Sequence, residues 1–69
     1  MVEVFKTNIL KQKEAKLMLT ILSKKFPSFK INFDLDDCDK ILRVHGEDIC
    51  NKKIIALINS NGFQCVALE

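Results

Sequence analysis

The sequence predicts an α+β fold: a ferredoxin-like βαββαβ sandwich whose four-stranded antiparallel sheet carries two helices on one face. Three observations predict it. An apolar stripe at helical spacing runs over 10–26 and halts at Pro27, which lacks a donor and pushes the residue before it out of helical geometry. A strict apolar/polar alternation over 29–35 is followed by an acidic turn and a second alternating segment, the pattern of a hairpin. A second helical stripe then ends at Asn61-Gly62 and leads into a β-favouring run. The order is β-α-β, hairpin, β-α-β. Crossover helices between parallel strands are right-handed, and two such units joined by a hairpin give the split βαβ sheet.

Each element has its own local reason. Val2-Glu3-Val4-Phe5-Lys6 alternates and favours strand. Thr7 or Asn8 is expected to cap the first helix by accepting from an unpaired N–H of its first turn. Leu10, Leu17, Met18, Ile21 and Leu22 form the expected core stripe, widened by Ala15 and Phe26, with Gln12, Lys13, Lys16, Thr20, Ser23 and Lys24 opposite. Over 29–35, Phe29, Ile31, Phe33 and Leu35 point inward while Lys30, Asn32 and Asp34 point to solvent. Asp36-Asp37-Cys38-Asp39 is a turn by composition.

The strand over 40–45 turns Leu42 and Val44 to one side and Ile41, Arg43 and His45 to the other. Asp48, with Glu47, is expected to cap a second helix over 48–60, whose tightest stripe is Cys50, Ile54, Leu57 and Ile58. Gly62 suits the left-handed stop of that helix. The last strand spans 63–68, and its alternation leaves the inward face open between Phe63/Cys65/Ala67 and Gln64/Val66/Leu68.

At 69 residues the chain holds one domain, 1–69. A chain this short has a thin core, and its expected stability is about 3–10 kcal/mol. Its 48% hydrophobic and 29% charged residues, with two Gly and one Pro, exclude disordered and collagen-like classes. No apolar run reaches the length of a membrane span, and the N-terminus lacks the regions of a signal peptide, so the expected compartment is the cytoplasm. Three cysteines, at 38, 50 and 65, fit reduced thiols. The net charge of +2 is uneven: +5 over 1–30, −4 over 31–48 and +1 over 49–69. That describes a dipolar surface rather than a field for nucleic acid.

The segments "INFDLDDCDKILRVHG" and "IIALINSNGF", after a short first strand and a loop opening the first helix, resemble a heavy-metal-associated domain. This is the small βαββαβ module of copper chaperones and metal-transporting P-type ATPases, and the likeness covers nearly the whole chain. The resemblance implies a Cys-x-x-Cys pair for Cu(I) or a similar soft ion after the first strand. Lys11 and Glu14 stand at those positions. A lysine and a glutamate do not replace two thiolates for a soft ion. The resemblance therefore implies the fold and no metal ligand.

Other site readings give way to plain ones. Against a calcium loop, Cys38 falls at the fifth position, Asp39 where Gly is needed and His45 where a bidentate Glu belongs. Cys38, Cys50, Cys65 and His45 lack zinc-ligand spacing, so Cys50 and Cys65 are expected in or at the core and Cys38 exposed in the turn. A Cys–His nucleophile pair has no orienting partner, and the isolated Gly46 and Gly62 make no phosphate loop. Lys13, Lys16 and Lys24 read as a solvated face, because Phe29 and Phe33 point at the helices rather than to bases.

The expectation is a non-catalytic interaction module with no cofactor and no metal. It would bind a protein or small ligand, not nucleic acid or membrane, and be a monomer or weak homodimer. The open sheet face or the loop of Thr7, Asn8, Lys11 and Glu14 would make the contact. The alternative is a divergent metal-trafficking domain that uses Cys38 or His45.

Overall fold

The computed structural model describes residues 1–36 and 40–68. In chain order they form β1 (Val2–Thr7), α1 (Gln12–Lys25), β2 (Lys30–Asp34), β3 (Ile41–His45), α2 (Asn51–Ser60) and β4 (Cys65–Leu68). The strands make one antiparallel sheet in the order β2-β3-β1-β4, with β1 between β3 and β4. This is the α+β, ferredoxin-like arrangement the sequence predicts.

One apolar cluster joins the layers. Ala15, Met18 and Leu22 of α1 and Ile54 and Ile58 of α2 meet Phe5, Ile31, Leu42, Val44 and Cys65 of the sheet. Both helices therefore cover the same sheet face. Period-2 alternation sends the residues between these to the other face. Phe33 and Leu35 pack against the cluster, as their alternation predicts, and Phe26 and Phe29 stack with centroids 5.4 Å apart. Among the described residues, no helix is long and apolar enough to cross a membrane.

The first helix differs from expectation at its start. It begins at Gln12, with Lys11 as the extended N-cap, whose carbonyl accepts from Ala15 N at 3.0 Å. Leu10 consequently precedes the helix and is 71% exposed, and Leu17 is 56% exposed. Ile9, fully buried, fills the core position instead. The apolar run 17–22 offers two overlapping stripes, and the sheet takes the one through Ala15, Met18 and Leu22. The helix ends as predicted: Phe26 N donates to Leu22 O at 2.8 Å before Pro27.

The second helix also starts later than expected. Asp48 has a left-handed φ of 56°, which no helix residue adopts, so neither it nor Glu47 caps α2. Cys50 is the N-cap and is exposed rather than in the core stripe. The stop at Gly62 is a Schellman turn: φ is +91°, Gly62 N donates to Asn59 O at 3.0 Å, and Phe63 N donates to Ile58 O at 3.3 Å. Because Phe63 serves that turn, β4 begins two residues later than the expected strand. Similarly, Lys40 has φ 51°, so β3 starts at Ile41.

Candidate functional site

The loop after β1 is tied down by hydrogen bonds. Thr7 is buried in β1; its Oγ1 donates to Lys40 O at 2.7 Å and accepts from Ile9 N at 3.3 Å. Asn8 Oδ1 accepts from Gln64 N at 2.8 Å, joining the loop to the start of β4. Neither residue caps α1, because the helix begins only at Gln12, with Lys11 as its N-cap. Lys11 N donates to Glu14 Oε1 at 3.3 Å. That is the return half of a capping box, and an ammonium side chain supplies no acceptor for the other half. Thr7 and Asn8 also line a small cleft of about 150 Å³ with Lys6, Gln64, Cys65 and Val66.

The candidate ligands lie apart in the fold. His45 is exposed at the end of β3, on the open face, with Lys30 and Val2 as its cross-strand partners. Cys50 is exposed ahead of α2, whereas Cys65 faces the core on β4. Burial pushes the Cys65 thiol up to about 11, which disfavours the thiolate that binds a soft ion. Cys38 and the two Asp beside it lie outside the described residues. Among the described residues, no three of His, Cys, Asp and Glu gather as a ligand set.

The open sheet face divides into a polar and an apolar half. Three rows cross it: Lys30, His45 and Val2; then Asn32, Arg43, Val4 and Leu68; then Asp34, Ile41, Lys6 and Val66. Lys6 adds a charge on β1, and the β2–β3 half carries Lys30, Arg43 and Asp34. There Arg43 Nη1 lies 3.4 Å from Asp34 Oδ2, a half-exposed pair worth about 0–1 kcal/mol. The β1–β4 half is mostly apolar, with Val2 48%, Val66 56% and Leu68 40% exposed. Buried Ile41 stands on this face, apart from the core cluster.

Comparisons of the chain with protein-family models, with curated proteins and with solved structures return no match. The site is therefore read from its own chemistry.

Around one end of the β1–β4 pair, a cleft of about 730 Å³ opens between β1, the described end of β4 and α2, lined by Val2, Val4 and Leu68 of the open face and by Glu3, Ala67 and Asn51 on the helix side. Asn51 Nδ2 donates to Glu3 Oε1 at 2.7 Å, and this bond fixes the amide's orientation. Asn51 Oδ1 is buried with no donor among the described residues. The cleft's polar side thus presents the half-buried Glu3 carboxylate, held in place by the Asn51 amide. Sequence reasoning missed these residues. The signal was the alternation Val2/Val4/Lys6 against Glu3/Phe5, which already sorts two valines onto the face opposite Phe5.

Proposed function

We propose that this chain is a non-catalytic interaction module, resembling heavy-metal-associated domains without their cysteine pair. It holds an extended segment of a partner protein along the β1–β4 side of its open sheet face. The observation that carries the reading is the division of that face, whose exposed apolar side chains gather on β1 and β4. β4 is also a sheet edge with no charge or proline along Cys65–Leu68, and unguarded edges pair with added strands. The opposite edge, β2, carries Lys30 and Asp34 as guards.

Strand addition supplies main-chain hydrogen bonds for affinity and alternate side-chain contacts for specificity. Here Val66 and Leu68 meet the partner's apolar positions, and Glu3, on the helix side of β1 and oriented by Asn51, favours a donor such as a lysine or arginine where the segment passes the end of β4. The same edge against a second copy gives the weak homodimer. This reading places the protein in the cytoplasm and gives it no cofactor and no nucleic-acid partner.

Selection from a library of extended peptides tests it. Binders should alternate apolar residues with a basic residue at one end, and their amide shifts should map to Val2, Val66 and Leu68. Binders that map to 8–14 would refute it.

A further inference from the structure

On the helical layer, the end of α1 and one face of α2 flank a groove of about 430 Å³ that shares no lining residue with the β1–β4 cleft. Its volume falls in the range of small-molecule sites. Phe26, Ala56 and Leu57 line it with apolar surface, and Lys25, Lys53 and Ser60 complete the rim. Lys53, Ala56 or Leu57, and Ser60 recur at helical spacing, so one face of α2 forms a wall. Phe26 forms part of the other and is held by its stack on Phe29.

The charges on this rim are unanswered. Lys25 and Lys53 are both exposed, and among the described residues neither side chain has an ion-pair or hydrogen-bond partner. Lys24 adds a third positive charge in the last turn of α1, which offsets the negative end of that helix's dipole. An apolar floor between two unpaired ammonium groups repels cations and gives a neutral polar molecule nothing to replace its water. It complements an apolar body that ends in an anion.

We propose that the α1–α2 groove binds a small anionic amphiphile, an aromatic or medium-chain aliphatic carboxylate. Its apolar body lies on Phe26, Ala56 and Leu57, and its carboxylate sits between Lys25 and Lys53. This site is separate from the peptide-binding face and stands or falls independently of it.

Titration of the ¹⁵N-labelled protein with sodium octanoate, with octylammonium chloride as the matched cation, tests it. Octanoate should shift the amides of Phe26, Ala56 and Leu57 saturably, and octylammonium at equal concentration should not. Charge reversal of both exposed lysines, K25E with K53E, should leave the remaining spectrum unchanged and weaken octanoate about fivefold or more, two exposed ion pairs being lost. Raising the salt should weaken it in the same direction. A third variant, A56E, should abolish binding while both lysines remain. Equal shifts by octylammonium, shifts centred elsewhere, or octanoate binding indifferent to the charge reversal would overturn the proposal.

Discussion

A Cβ at position 46 would run into Cδ1 of Phe29 and lie 2.9 Å from its Cε1. Gly46 and Phe29 therefore share a space that only a hydrogen atom leaves free, at the end of β3. Gly46 also donates its N–H to Met1 O at 3.0 Å, so its backbone has little freedom to retreat.

Gly46→Ala should consequently destabilise the fold by about 1–3 kcal/mol through overpacking. Gly62→Ala has open space around it but φ of +91°, and should cost about 1–2 kcal/mol through backbone strain. Urea midpoints at unchanged m-value measure both. Shortening the ring with Phe29→Leu should relieve part of the first cost and none of the second, a coupling that a double-mutant cycle detects.

Cys50 and Cys65 should separate in their chemistry. Cys50, exposed ahead of α2, should react with a thiol reagent in the native state, while buried Cys65 should react only after unfolding. The Cys65 thiol, raised from 9.0 to about 11, holds its proton longer folded than unfolded. Its contribution to stability is thus complete below pH 9 and is lost as pH rises towards 11, by up to about 1.4 kcal/mol per pH unit. Denaturation midpoints over that range should fall for the natural protein and fall less for Cys65→Ala.

Thr7 ties the end of β1 to Lys40 and to Ile9. Thr7→Val keeps the shape but leaves Lys40 O and Ile9 N without their hydroxyl partner. The expected cost is about 1–3 kcal/mol. Asn8→Ala, at an exposed position, should cost about 0.5–1.5 kcal/mol. Equilibrium unfolding of the two variants should preserve that order.

Most elements were legible because their signals are local. Pro27 ends α1, Asn61-Gly62 ends α2, and the alternation around Ile31 and Phe33 marks β2. What sequence could not decide was which of two adequate local answers the tertiary structure uses. The run 17–22 is apolar nearly all round, so Leu17 looked as good a core residue as Ala15 until the sheet chose. Thr7 and Asn8 looked like caps because capping is local, yet their bonds reach Lys40 and Gln64 across the fold. Cys50 fell on the α2 stripe only if the helix began at Asp48, and a single left-handed residue moved the start. The candidate cleft was less legible still, since Glu3 and Asn51 meet only through the β1–α2 packing.

The unmodified protein should show no tight one-to-one binding of Cu(I) against a competing chelator, and its melting temperature should not respond to that chelator. Lys11 places a positive charge at the loop, and Glu14 is engaged by Lys11 N. Lys11→Cys with Glu14→Cys puts two thiols one turn apart at the N-cap and N3 positions and should create a soft-metal site. Tight binding by the natural sequence would favour the metal-trafficking alternative.

On the proposed function, the β1–β4 side of the open sheet face carries recognition. The most direct measurement compares charge placed at two exposed apolar positions, Val66→Glu on β4 and Leu17→Glu on α1, each about as solvent-accessible as the other. With a selected extended peptide as ligand, Val66→Glu should weaken binding at least about tenfold, a loss of about 1.4 kcal/mol, with both variants as stable as the natural protein. Leu17→Glu should leave the affinity unchanged. A peptide that tolerates Val66→Glu, or one lost equally with Leu17→Glu, would rule out recognition by this face.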